Sequence, residues 1–103
     1  LLRLSKQGID FDAVVTSDDS LAVGAVKYAH AKGISVPDQL SIIGYNNSLL
    51  SRCTDPEITS IDSRVETLCT TTVKTLMEVF SGESVPSRTT IASDLIKRNT
   101  TNF

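Results

Sequence analysis

Two short apolar runs, F-D-A-V-V-T from Phe11 and L-S-I-I-G-Y from Leu40, flank a stretch of helical period. Nothing else in the sequence constrains the fold as much. Each run has the length and β-branched content of a strand covered on both faces, which points to a parallel sheet. Parallel neighbours need a crossover, and residues 20–32 supply one. There Leu21, Ala22, Ala25, Val26 and Ala29 recur at helical spacing, Asp19 or Ser17 can cap the start, and Gly33 ends the helix. Pro37 stops the helix from continuing, and the turn-formers Asn46, Asn47 and Ser48 close the second strand. The expected unit is strand, helix, strand.

Downstream, Leu49–Arg52 reads as one helical turn, Pro56 as a break, and I-T-S-I from Ile58 as a third strand. Asp62 or Ser63 opens the clearest helix. Val65, Leu68, Cys69, Val73, Leu76, Met77 and Phe80 keep one face, Ser63 and Glu66 form a capping box, and Gly82 ends it. T-T-I-A from Thr89 and D-L-I-K from Asp94 read as terminal strands before the polar tail R-N-T-T-N-F. Leu1, Leu2 and Leu4 ahead of Gly8 read as the last turns of a helix that begins earlier. With no repeat and no Pro-, Gly- or Ser-rich linker, the 103 residues form one domain at most.

A hydrophobic share of 40% and a charged share of 21% place the chain among ordinary globular proteins. Net charge is -2 and no stretch concentrates Lys and Arg, so the chain itself should not bind nucleic acid. No apolar run reaches the roughly 20 residues that cross a bilayer, and the opening L-L-R-L-S-K-Q-G is too short and too charged for a signal peptide. Cys53 and Cys69 lack metal-like spacing and read as packed, unpaired thiols. A soluble chain in a reducing compartment, with no membrane span, is expected.

In an open α/β sheet, ligands bind outside the carboxyl ends of the strands, where loops converge and helix amino termini present free N–H groups. Ser17, Asp18, Asp19 and Ser20 follow the first strand, and Tyr45, Asn46, Asn47 and Ser48 the second. A carboxylate beside a carboxamide offers planar hydrogen bonding suited to vicinal hydroxyls. The same residues serve equally as helix cap and turn, and pattern alone does not decide. Enzyme motifs are missing: there is no G-x-G-x-x-G after a strand, no G-x-x-x-x-G-K-[ST], no G-x-S-x-G, and no clustered His and Cys. His30, at the end of the first full helix, reads as a surface residue. An Asp18–Asp19 pair could hold Mg2+ in a phosphoryl-transfer site, but the third carboxylate and the phosphate-binding Lys are lacking.

These segments resemble the effector-binding domain of the lac repressor and galactose repressor family. D-D-S-L-A-V-G-A is similar to the family's N-D-x-x-A-x-G-A, and G-I-S-V-P-D-Q-L-S-I-I-G-Y-N-N to its V-P-x-D-(I/V)-S-(V/I)-(V/I)-G-(F/Y)-D-(D/N). The resemblance runs through D-P-E-I-T-S-I and the long helix to L-I-K-R-N-T-T, covering nearly the whole chain. It implies an α/β fold, a three-layer parallel-sheet lobe of a type I periplasmic-binding-protein-like architecture, here incomplete. Residues 1–103 would then be the carboxy-terminal portion of the effector-binding and dimerisation domain, with the helix-turn-helix on another part of the protein.

The resemblance further implies effector contacts at Asp18 and Asn46, with Tyr45 lining the pocket floor. Their types are exchanged relative to the family, which has Asn at the first and Asp at the second. Asp19 falls where the family has an Asp, read as a helix cap. A homodimer contact is implied at Val23, Val26, Leu49, Leu50 and Cys53. The Val65–Phe80 helix would pack on the other lobe or be covered by a partner copy. The expected partners are a sugar-like small molecule, a second copy, and operator DNA through the separate domain; no cofactor is expected. An exported sugar-binding protein of an uptake system is the alternative, and a signal peptide in place of a helix-turn-helix upstream would mark it.

Overall fold

The structure is a computed structural model that describes residues 1–8 and 10–103. In chain order it contains α1 (Leu2–Lys6), β1 (Ala13–Val15), α2 (Asp19–Lys32), β2 (Ser41–Tyr45), a 3-10 turn (Leu49–Arg52), β3 (Thr59–Asp62), α3 (Val65–Phe80) and β4 (Asp94–Ile96). The strands form one sheet in the order β1-β2-β3-β4. The first three run parallel, with Val14 beside Ile42 and Gly44 beside Ser60, and β4 joins antiparallel, with Ser60 beside Ile96. The parallel sheet read from the sequence is therefore present and gains one antiparallel edge.

Alternation along β2 turns Ile42 and Gly44 toward α2, and both are buried. Ala22, Ala25, Val26 and Ala29 of α2 meet Leu40, Ile42 and Ile58 in the core. Three alanines on the buried face let the helix approach closely, and each buried Leu or Ile contributes about 1.5–3 kcal/mol. Gly33 takes the left-handed conformation (φ 67°) that ends α2, and its N–H reaches back to Ala29 and His30. His30 is exposed in the last turn.

Several expectations need correction. β1 is not covered on both faces: it is the sheet's edge, and Val15 is 68% exposed. The α2 cap is neither Ser17 nor Asp19 but Asp18, whose extended backbone (φ -161°, ψ 150°) lets its carboxylate accept the Ser20 N–H. α3 starts at Val65, and the Ser63–Glu66 box does not form. Arg64 sits ahead of the helix in the left-handed region (φ 52°), and its N–H is taken by Asp62 Oδ1 at 2.8 Å. The Thr89 segment is not a strand. Cys53 and Cys69 are free and exposed rather than packed.

The polar tail is structural. Thr100 donates its hydroxyl to Ile42 O (2.6 Å) and accepts from Thr59 N (2.9 Å), while its carbonyl accepts from Ile42 N (2.9 Å). Thr101 pairs with the Thr59 hydroxyl at 2.8 Å. The tail thus bridges β2 and β3. α3, in contrast, buries none of its residues, and its apolar stripe is open: Val73 is 60% exposed, Met77 59% and Phe80 74%.

Candidate functional site: the carboxyl ends of the parallel strands

Parallel pairing puts the ends of β1, β2 and β3 side by side, and the polar clusters after β1 and β2 meet there. Asn46 Nδ2 donates to Asp18 Oδ2 at 3.2 Å while Asp18 Oδ1 accepts Ser20 N at 2.7 Å. One carboxylate thereby serves as helix cap and as partner to the amide on the next strand. Hydrogen bonds from Ser20, side chain then N–H, hold the Asp18 carboxyl below the usual carboxylate range, and Asn46 adds to them. The anion is favoured at the amino terminus of α2 for the same reason.

The chain turns out of β2 through two consecutive residues of positive φ, Asn46 (90°) and Asn47 (47°). Asparagine tolerates this region better than other side-chain-bearing residues, which accounts for its use twice in succession. Asn46 N continues the ladder to Ile61 O (2.8 Å), and Asn47 N donates to Ser60 Oγ (3.0 Å). Asn47 Nδ2 then donates to Asp62 Oδ2 at 3.1 Å. Asp62 is held below the usual range by the Arg64 N–H, then by Asn47 and by the Arg64 charge. A cleft of about 460 Å3 opens here, lined by Asn46, Asp62, Arg64, Val65, Glu66 and Thr67. A larger groove of about 740 Å3 follows the open edge of β1 as far as Ser17, but Val14, Leu21, Tyr28 and their neighbours make it mostly apolar, and neither Asp18 nor Asn46 lines it.

Asp19 has a different fate from Asp18. It is wholly buried and accepts from Ser48 N (2.6 Å), Ser48 Oγ (2.8 Å) and Ser60 Oγ (2.6 Å). It is therefore the internal brace of the β2 loop rather than a cap. Gly44 gives it room: a methyl there would collide with Asp19 Oδ1 and press on Ile58 Cγ2 at 3.2 Å. Because Asp18 faces Asn46 and Asp19 faces the serines, the two carboxylates diverge and do not offer one Mg2+ a shared site. Among the described residues no three His, Cys, Asp or Glu side chains converge.

Of the expected site residues, Asp18 and Asn46 are in contact, and Tyr45 is half-buried on the sheet face away from Gly44, outside the cleft lining. Leu49, Leu50 and Cys53 are exposed together on and after the 3-10 turn. Val23 is half-buried, and Val26, at 8% exposure, belongs to the core and offers almost nothing to a partner. Asp62, Ser60 and Arg98 are missed by sequence reading as members of the site, while Ser48 is read only as part of the polar turn after β2. Only Asp62 carried a signal, as an acidic residue closing the third strand.

Among the described residues no helix is long and apolar enough to cross a membrane. Residues 3–101 match the model of the periplasmic binding protein-like domain. An HTH-type transcriptional regulator of Lachnoclostridium phytofermentans is 58% identical over 100% of this chain and 31% of its own length. Two solved structures superpose closely. The lac repressor dimer bound to operator and the anti-inducer ONPF has a TM-score of 0.91 at 28% identity, covering 97% of this chain and 35% of that one. The complex of the transcriptional regulator CelR with cellobiose has a TM-score of 0.87 at 25% identity, covering 96% and 31%. The chain spans about a third of the length of these relatives. It belongs to the periplasmic binding protein-like domain family, in the branch whose curated relatives are transcriptional regulators of the lac repressor and galactose repressor kind.

Proposed function

We propose that this chain is the effector-sensing and dimerisation part of a cytoplasmic transcription regulator of sugar metabolism. The observation that carries the reading is the Asp18–Asn46 contact across two parallel strand ends, beside a polar cleft. Carboxylates and carboxamides held in place by caps and ladders suit a neutral polyol, whose hydroxyls both donate and accept. CelR, which superposes on this chain, was solved with cellobiose, and the lac repressor dimer with an operator and an anti-inducer. Effector bound between two lobes favours one arrangement of the sensor, and DNA affinity follows because the two equilibria are linked.

The test is a DNA mobility shift with the full-length protein and its operator, titrated with neutral mono- and disaccharides. Asp18→Ala and Asn46→Ala should each raise the effector concentration needed by roughly tenfold, since a lost charge-assisted hydrogen bond is worth about 1.5 kcal/mol or more. Affinity for DNA without effector should stay within about twofold of wild type. Titration curves unchanged in both variants would remove the assignment.

The subunit contact is assigned to Leu49, Leu50 and Cys53, with Val23 at its margin, facing the same patch on a second copy. Leu49, Leu50 and Cys53 are exposed while the 3-10 turn they border is anchored, with Ser51 wholly buried. Leu50→Arg should shift the full-length protein toward monomer in sedimentation velocity without altering its circular dichroism.

A further inference from the structure

Arg98 has a side chain only 9% exposed, and both terminal nitrogens of its guanidinium fork are hydrogen-bonded. Nη1 donates to Ile58 O (2.8 Å) and Ser51 Oγ (3.2 Å), Nη2 donates to Asn47 Oδ1 (2.5 Å), and Nε lies 3.8 Å from Glu57 Oε2. With its oxygen held by Arg98, the Asn47 carboxamide must turn its N–H2 the other way, and there it meets Asp62 Oδ2 at 3.1 Å. The other Asp62 oxygen takes the Arg64 N–H. A released carboxamide could rotate by half a turn and present its oxygen to Asp62, and two acceptors do not bind each other.

We propose that Arg98 is a positioning residue of the effector cleft, fixing through the Asn47 carboxamide which lone pairs of Asp62 remain free for a ligand hydroxyl. This rests on the effector-cleft reading for its biological meaning, but its geometry stands apart from any ligand. The same guanidinium holds Ser51 in the 3-10 turn, so the cleft and the proposed subunit contact share one anchor. A lysine could not replace it, because a single ammonium lacks the planar fork that reaches Asn47, Ser51 and Ile58 together.

The test follows the Asp62 carboxyl by 13C NMR titration in the full-length protein. The groups facing Asp62 are Asn47 and Asn46 from the β2 loop, Arg64, Glu66 at the start of α3, and Asp94, its register partner on β4. Arg98→Lys keeps the charge, so any change reports geometry. Asn47→Ala should raise the Asp62 midpoint by roughly half a pH unit or more, and Arg98→Lys by a comparable amount. The double variant should go no further than the larger single one. An Arg98→Lys midpoint equal to wild type, or two shifts that add in full, overturns the proposal.

If Arg98→Lys does not fold, Asn47→Asp decides. Its carboxylate still accepts from Arg98 but sets a like charge against Asp62, so the midpoint must rise above that of Asn47→Ala; a smaller rise or none overturns the proposal. Saccharide titration of the same samples separates the two readings. A protein that binds no sugar yet shows the coupled midpoints refutes the effector assignment alone, and one that binds sugar without the coupling refutes the role of Arg98 alone.

Discussion

Asp18 and Asp19 are neighbours in sequence, and the strand-to-helix turn sends one outward and one inward. Outward-facing Asp18 caps one free N–H of α2, that of Ser20, and meets Asn46; inward-facing Asp19 collects three donors from Ser48 and Ser60. Asp19→Asn should cost about 2–4 kcal/mol in urea unfolding of the full-length protein, because an amide nitrogen cannot accept and at least one buried hydroxyl loses its partner. Gly44→Ala should destabilise by a similar amount, since the added methyl must displace either a braced carboxylate or Ile58. Asp18 and Asp62 are carboxyls whose folded state binds protons less readily than the unfolded chain. Their stabilisation is therefore complete above the ordinary aspartate value of 3.8 and is lost as pH falls below it. Acid titration of the amide resonances of Ser20 and Arg64 should show both contacts released in that window. Asp18 and Asn46 were legible as polar residues at strand ends, and the family resemblance singled them out, but local pattern put the cap of α2 on Ser17 or Asp19 rather than on Asp18. It could not assign Asp19, whose role depends on Ser60, 41 residues away.

At the scale of elements, α2 and β2 were legible because their apolar periods are clean and their ends carry Gly33 and the paired asparagines. The start of α3 was not: Asp62 spends its carboxylate on the Arg64 N–H and on Asn47, so the helix begins past the capping box that local spacing favoured. β1 has the composition of a central strand yet lies at an edge, since composition reports what a strand is suited to, not which neighbours are within the chain. The tail is polar by composition, yet two of its threonines, Thr100 and Thr101, are buried between β2 and β3. Thr100→Val keeps the shape and removes the hydroxyl that serves Ile42 O and Thr59 N. It should cost about 1–3 kcal/mol and speed amide exchange at Ile42 and Thr59 more than at Ala25.

The molecule as a whole is extended, at 59 × 27 × 21 Å with a radius of gyration of 18.1 Å. A packed chain of this length would have a radius of about 13 Å. The excess is α3, a 16-residue helix with no buried residue and an apolar stripe that includes Val73, Leu76 and Phe80. Its amide protons should exchange fast in the isolated chain and slowly in the full-length protein, where Leu76→Ser should lower the melting temperature far more than it does in the isolated chain. Equal protection in both would mean that α3 needs no cover beyond what these residues supply.

The edge position of β1 has its own outcome in the test tube. One side of Ala13–Val15 pairs with β2, while the other leaves a row of backbone donors and acceptors beside the bare side chain of Val15. Such a margin is a template for any extended segment that can lie against it. Concentrated alone, the chain should add copies to itself along that margin and precipitate, and a Pro or Lys at Val15 would be the first remedy for anyone wishing to keep it in solution.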